Sequence, residues 1–456
     1  MSIGKHAVVI GAGMGGLTAA HALVGKFEKI VVLERDVLPT RVQARPGVPQ
    51  GRLPHVLLPG GLAALNQLFD GFSGDLHAAG AKESDFGMSI SCNFPGQGPL
   101  PERALGIPLI KCSRPLIESV VRKRVEQQKD IAILDGRRVT EIVATADGSA
   151  VRAVRCETRE GVHETHEAEL VIDASGRGEP TLGLMRAAGR AAPDETTIGV
   201  DLHYASVLVT FPKGKEPRYQ TMVTFPNAPE SSRTGIILAR EDDYVFAGLS
   251  GRGDDAPPDD WPDFVEFMGT LGTDSLHDTL LHAKPHGKVD RFMFPESRRR
   301  HFERCVNWPR GLVPFADSIC RFNPVYGQGM TAGAKEAVML RELLASRGGH
   351  ADPLMGLFEA FMAVGGPMLD NIWALSAMPD LAYPDARGER PDNLQEALGF
   401  QTALQRAAFL DEDIHRLLLE VFSLLKPASA FNDEAIVEKI KRLAAQFDAA
   451  RDNVQA

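Results

Sequence analysis

The sequence predicts an α/β protein: a three-layer unit on a parallel sheet, an inserted, mostly antiparallel β-sheet domain, and a helical C-terminal region. Three observations carry that expectation. The chain opens on Val8-Val9-Ile10, a β-branched run suited to a buried strand. Three glycines at G-x-G-x-x-G spacing follow (Gly11, Gly13, Gly16), then an Ala-rich helical stretch. Residues 198–294 instead hold four strand-like runs separated by Pro, Gly and charge, the texture of antiparallel pairing. Beyond residue 345, apolar residues recur at helical spacing.

Each glycine of the opening unit has a physical task. Gly11 makes a tight turn, Gly13 lets backbone N–H groups approach a pyrophosphate, and Gly16 lets helix and strand touch. The start of the helix adds partial positive charge for phosphates. A second strand, residues 30–33, ends in Glu34, whose carboxylate suits ribose hydroxyls. Strand, glycines, helix, strand and acid in this order mark a dinucleotide site.

Bulk properties narrow the class. The 456 residues are 44% hydrophobic and 24% charged, the balance of a globular protein with more than one domain. A net charge of −10 argues against a nucleic-acid partner and against anchoring to anionic membranes by charge. No window approaches 18 uninterrupted apolar residues. With no basic, apolar leader pattern either, a cytoplasmic location is expected. The five cysteines form no C-x-x-C pair and the 13 histidines no H-E-x-x-H, so no metal site is expected.

Taken in order, residues 35–61 form a long loop containing Arg41, Gln43, Arg45, Gln50 and His55, either functional or a solvated surface. Residues 62–69 read as a short helix. Ser113 caps a helix with Pro115 in its first turn and an apolar stripe of Leu116, Val120 and Val121. Strands follow at 131–134 and 139–144, then a hairpin about Glu160-Gly161. Residues 170–173 form a buried strand running into Ala174-Ser175-Gly176. The chain returns to a short strand ending at Asp317, a glycine-rich loop over 323–330 and a helix over 331–344. Later helices include 433–449 with Asn432 as cap, and the last dozen residues are expected to fray. The divisions expected are 1–85, 109–185 and 301–345 for the nucleotide unit, with an excursion over 86–108. The β-sheet domain takes 186–300 and the helical region 346–456.

Three features share one form, a buried strand with an acid or glycines at its carboxyl end: Gly11 to Glu34, Asp173 to Gly176, and Asp317 to Met330. In a doubly wound sheet such ends converge, here on one extended dinucleotide. There is no second G-x-G-x-x-G unit and no cysteine pair of the disulfide-reductase type. A Rossmann-like FAD-binding domain is therefore favoured over an NAD one. The order of features resembles the class A flavoprotein monooxygenases, with the fold of p-hydroxybenzoate hydroxylase, along most of residues 1–345. Gly11-Ala-Gly-Met-Gly-Gly16 with Glu34-Arg35 is similar to the adenosine motif of that family. Asp173-Ala-Ser-Gly176 stands at its Asp-Gly motif, and Phe315-Ala-Asp317 with residues 323–331 at its Gly-Asp motif and flavin-ring loop. Arg45-Pro-Gly-Val-Pro-Gln50 and His55 further resemble the bacterial branch of natural-product epoxidases and hydroxylases.

The resemblance implies bound FAD, NAD(P)H as a transient co-substrate, and transfer of one atom of O2 to a small apolar aromatic or alkene substrate through a C4a-hydroperoxyflavin. It implies cofactor contacts at Gly11, Gly13, Gly16, Glu34, Arg35, Arg45, Gln50, Arg114, Val139 and Asp173. Further contacts are implied at Asp317, on a ribityl hydroxyl, and at Gly327, Gln328, Gly329 and Met330, beside the flavin N1–C2=O edge. Pro324 and His55 are the candidates for shaping the flavin and oxygen environment. Tyr204, Met222 and Phe246 either line the substrate pocket or fill the core. Two departures stand out: Ala316 replaces a family glycine, tolerable with φ below zero, and Ala174 replaces another. A halogenase would be expected to carry W-x-W-x-I-P, which Trp261, Trp308 and Trp373 do not form. An alkene reductase of the geranylgeranyl type and a non-catalytic flavin-binding module are the alternatives, with a monomer or homodimer as the assembly.

Overall fold

Strand Gly4–Ile10 lies at the centre of a five-stranded parallel sheet in the computed structural model, which describes residues 2–219 and 221–455. On one side it pairs with Leu170–Asp173 and through it with Leu312–Pro314; on the other it pairs with Phe27–Leu33 and then Ile131–Leu134. From Ala7 to Ile10 the strand is apolar without a break because both faces are covered there. Ala7 and Val9 meet the helices Met14–Ala22, Arg114–Glu126 and Gly329–Ser346. Val8 and Ile10 meet a second, three-stranded sheet of Arg137–Ala144, Val151–Thr158 and His163–Glu167. Alternation with period two thus builds three layers from one strand. Chain order reverses across Gly4–Ile10, and ligands bind at such a point in doubly wound sheets.

The inserted sheet has eight strands, among them Glu195–Thr210, Val245–Arg252, Thr234–Ala239 and Thr221–Thr224, and its edge is completed by Ile90–Phe94 and Gly98–Pro99. Every pair is antiparallel except Thr221–Thr224 with Ile90–Phe94. Helices Trp261–Met268 and Ser275–Leu280 cover one face. The other face packs on Leu53 of the long loop and on Leu381, Tyr383 and Leu394 of the C-terminal region. Gln220, within the strand expected over 219–225, lies outside the described residues.

Two local expectations change. Asp433, not Asn432, caps the last helix, its Oδ1 accepting from the N–H groups of Ala435 (3.0 Å) and Ile436 (3.2 Å). That helix, Glu434–Gln455, continues through the residues expected to fray. Among the described residues no helix is long and apolar enough to cross a membrane. All five cysteines are free thiols, and Cys112, Cys156 and Cys320 are buried.

The C-terminal region also closes on the parallel-sheet unit. The N–H of Gly60, in helix Pro59–Leu68, donates to the Ser423 carbonyl at 3.0 Å. A Cβ at Gly60 would stand 2.4 Å from that oxygen and 2.6 Å from the Leu424 carbonyl oxygen. Neither backbone atom yields easily, so Gly60→Ala should destabilise the protein by about 1–3 kcal/mol. Thermal denaturation checks this, with Gly74→Ala, inside helix Phe72–Ala78 and meeting nothing within 4 Å, leaving the midpoint unchanged or slightly raised.

Candidate functional site

Three strand ends meet in backbone contact. A Cβ on Gly16 would lie 1.8 Å from the Gly11 carbonyl oxygen, one on Gly11 (φ +98°) 2.7 Å from that of Ala174, and one on Gly15 2.8 Å from the Cβ of Ala316. Gly176 comes within 4.0 Å of the Asp317 side chain by the same measure. A side chain is excluded at Gly11, Gly15 and Gly16, so the three loops meet at one place. Helices Met14–Ala22 and Gly329–Ser346 both start there with no side chain capping their first-turn N–H groups. Uncapped starts of this kind receive anions and developing negative charge.

Buried charges frame the end of the second strand. Glu34 accepts from the N–H groups of Ala12 (2.8 Å) and Asp36 (2.9 Å). Arg45 reaches Asp36 at 2.7 Å, Glu118 at 2.8 Å and Glu34 at 3.3 Å, and its Nη2 donates to the Ala12 carbonyl at 3.1 Å. Burial opposes its charge, but Glu118 and Glu34 outweigh that and hold its pKa above the ordinary value. Glu118 also accepts from Arg114 at 2.9 Å, so one carboxylate bridges two guanidinium groups. Neither Glu118 nor Asp36 was marked by the sequence reading. The spacing of Arg114 and Glu118, i and i+4 on one helix, was the available signal. Arg35 is exposed. Val139 sits two residues beyond Arg137, whose N–H donates to the Glu34 carbonyl at 2.8 Å.

The acids at the other two strand ends behave differently. Asp317 has no hydrogen-bond partner for its carboxylate among the described residues. Burial raises its pKa while Arg321 and Arg114 draw it down. An unpaired acid beside open glycines is a suitable acceptor for ligand hydroxyls. Asp173 is fully buried and occupied, accepting from Ser175 N–H (3.1 Å), Thr181 N–H (3.0 Å) and Thr181 Oγ1 (2.7 Å). It orders the turn from behind, a correction to the direct contact expected. Ala316 is a second correction: its φ is +53°, the left-handed region. Its N–H is held at 2.8 Å by Glu336, whose carboxyl is pushed up to about 7 by burial.

The glycine-rich loop is fixed from below by a network absent from the sequence reading. Asn323 Oδ1 accepts from the Val325 N–H (3.2 Å) and from the Tyr204 hydroxyl (2.9 Å), while its Nδ2 donates to Asp380 Oδ2 (2.9 Å). Asp380 Oδ1 accepts from Arg252 (2.9 Å) and Tyr326 (3.3 Å), and the Arg252 guanidinium lies 4.1 Å above the Tyr383 ring. Gln328 is buried and donates to the Phe422 carbonyl at 3.2 Å, so its side chain holds the C-terminal region instead of facing a ligand. Gly327 (φ +69°) and Gly329 have nothing within 4 Å of a built Cβ, leaving their backbone approachable. Pro324 opens the short turn Pro324–Tyr326 and is half-buried, and Met330 packs partly against the core.

His55 lies on the loop between the two domains. Its Nδ1 is 3.1 Å from the Leu53 carbonyl; burial, then the Arg114 charge, push its pKa down to about 4. Neighbouring Pro54 packs on the inserted sheet, 2.7 Å from where a Gly248 Cβ would be. Gln50 is half-buried in the turn Pro49–Arg52. Strand register puts Tyr204, Phe246 and Gly248 on one sheet face, toward this loop. Met222 is on the other face, in the core under Ser275–Leu280, with the Thr279 hydroxyl 3.7 Å from its sulfur. It does not join Tyr204 and Phe246.

No protein-family model matches the chain. Protein Rv3254 of Mycobacterium tuberculosis is 29% identical over 404 residues, covering 84% of this chain and 82% of that protein. The solved flavin-dependent brominase Bmp2 superposes with a TM-score of 0.65 at 14% identity, over 98% of this chain and 100% of its own. PqsL, a probable FAD-dependent monooxygenase from Pseudomonas aeruginosa, gives 0.64 at 13% identity over 87% of this chain and 99% of its own, and has also been solved with 2-aminobenzoylacetate. The flavin-dependent halogenase CmlS gives 0.61 at 15% identity over 92% of this chain and 76% of its own. The fold is that of the class A FAD-dependent monooxygenases, which these flavin-dependent halogenases share.

Left-handed backbone costs an L-residue about 1–2 kcal/mol, and glycine returns roughly 0.5–1 of this as lost chain entropy. Ala316→Gly is therefore expected to stabilise the protein by about 0.5 kcal/mol, seen as a higher midpoint in thermal denaturation. The depressed pKa of His55 has a definite sign. Neutral imidazole is favoured by the fold, so its stabilisation is complete above about pH 6.5 and is lost as pH falls toward about 4. His55→Gln should flatten the stability curve across that window and leave it unchanged above pH 7. His415, also pushed down to about 4 by burial, keeps the flattening partial.

Proposed function

We propose that this chain is an FAD-dependent, NAD(P)H-consuming monooxygenase that inserts one oxygen atom of O2 into an apolar aromatic or alkene substrate. The observation that supports it most is the meeting of the Gly11–Gly16 loop with Asp317 and the open Gly327–Gly329 backbone at one edge of the parallel sheet. The residues present fit the dinucleotide. Glu34 would take the ribose hydroxyls, the start of helix Met14–Ala22 and nearby Arg45 the pyrophosphate, and Asp317 the ribityl chain. The uncapped start of helix Gly329–Ser346 would face the flavin N1–C2=O edge, where its N–H groups stabilise negative charge. FAD supplies hydride acceptance and oxygen activation when bound. The protein's own work is positioning and water exclusion. Tyr204 and Phe246 are buried in the sheet face toward the loop and back it from beneath, Pro54 and His55 close the space between the domains, and neutral His55 adds no charge there.

An aromatic substrate is favoured by the complex of PqsL with 2-aminobenzoylacetate. Among the described residues there is no second nucleotide fold for the nicotinamide, which suits transient use of NADH or NADPH. The experiment is anaerobic reduction of the purified protein by NAD(P)H, then mixing with oxygen and candidate aromatic and alkene substrates. One bound flavin per chain, faster reduction with substrate, and oxygen uptake matched by an oxygenated product are expected. A reduced alkene formed without oxygen uptake would replace the reading by a reductase, and product formation only with halide by a halogenase. No flavin after reconstitution with FAD would end it.

A further inference from the structure

The hairpin Val151–Thr158 and His163–Glu167 carries a side-chain cluster the flavin reading does not use. Glu164 is the cross-strand partner of Cys156, and His166 lies two residues beyond Glu164, so the register turns all three to one face. One sulfur, one nitrogen and one oxygen lie within 4.8 Å of one another. Cys156 Sγ is 3.9 Å and His166 Nε2 is 3.4 Å from the same oxygen, Glu164 Oε2. Tetrahedral zinc at its usual bond lengths separates sulfur from oxygen by about 3.5 Å and nitrogen from oxygen by about 3.3 Å. Two edges of the ligand triangle are thus already close to the lengths the ion requires, and the third, sulfur to nitrogen, is no longer than 4.8 Å.

We propose that Cys156, Glu164 and His166 form a three-ligand site for a divalent transition cation of the zinc class, with water as fourth ligand. The chemistry of the set agrees. Sulfur and imidazole select zinc-like ions over magnesium or calcium. His166 Nε2 is a buried atom without a hydrogen-bond partner. Glu164 binds through Oε2 and keeps Oε1 for Arg137, whose Nη2 stands 3.4 Å away, an outer contact of the kind that orients ligating carboxylates. Arg137 Nε, 3.5 Å from Oε2, is the contact the cation displaces. The side chains of Glu164 and His166 are 30% and 18% exposed, which gives the ion a way in to the covered thiol. Coordination forms a metal–sulfur bond and releases the thiol proton to water, with no change of oxidation state. Cys156 pairs on its other side with Val139, so the ion would brace the antiparallel sheet beside the adenosine end.

The test uses the full-length, FAD-loaded protein, treated with chelator and dialysed. Titration with Co2+ alone is followed by d–d absorption to the red of the flavin bands, and with Zn2+ alone by elemental analysis. One cation per chain is expected, with one proton released per ion. His166→Ala should weaken binding at least tenfold. Cys156→Ser should abolish the tetrahedral cobalt spectrum, and exposed His163→Ala should change neither. Flavin content stays constant throughout. Failure to take up one equivalent at micromolar cation would overturn the proposal, as would equal binding by wild type and His166→Ala. The second comparison decides even if the buried Cys156→Ser variant does not fold.

Discussion

One backbone contact underlies the whole site. Gly16 is pressed so close to the Gly11 carbonyl that a single methyl group would stand 1.8 Å from it. That approach brings the start of the first helix onto the end of the central strand. The neighbouring strands then deliver the Asp173–Gly176 turn and Ala316–Asp317 to the same edge, because all three run parallel and in adjacent positions. Convergence follows from sheet topology, and closeness from the absence of side chains. Both faces of the central strand are covered, so neither the helical layer nor the second sheet can shift without exposing Val8, Val9 or Ile10.

Electrostatics hold the long loop to this frame. Arg45 comes from a segment without regular structure, yet it reaches the acid ending the second strand, the glycine loop and a helix thirteen residues long. Burying such a group is costly unless each donor is answered, and here three carboxylates answer it. The loop is therefore ordered by its charge together with its own turn bonds, Val48 N–H to the Arg45 carbonyl (3.0 Å) and Gly51 N–H to the Val48 carbonyl (2.9 Å). The Asp380 network plays the matching part at the glycine-rich loop, where it binds the inserted sheet, the loop after Asn323 and the C-terminal region into one piece.

The sequence was most legible where chemistry is local. The glycine spacing, the strand ending in Glu34, the Ser113 cap, the hairpin about Gly161 and the antiparallel insertion each depend on residues within a few positions of one another. It was least legible where a choice is settled from a distance. An acid after a buried strand can face a ligand or cap the next turn; Asp317 and Asp173 take different courses, and only Thr181 reveals why. Met222 shows the same limit for a strand, since parity names two faces without saying which is which. Nothing in composition fixed the sign of φ at Ala316. Glu118, Asp380 and the Cys156 hairpin cluster became visible only once helix faces and strand pairing had been placed.

The state of the cysteines bears on durability. Burial pushes the Cys92 and Cys112 thiols up to about 12 and Cys156 to about 11, and it raises Cys305 and Cys320 as well. The thiolate, not the thiol, is what peroxide attacks, so these thiols are held in their sluggish form at neutral pH, Cys156 for as long as no cation binds it. A monooxygenase of the kind proposed would shed hydrogen peroxide whenever a turnover misfires. A fold that keeps its unligated thiols protonated is spared damage from such exhaust at each of them.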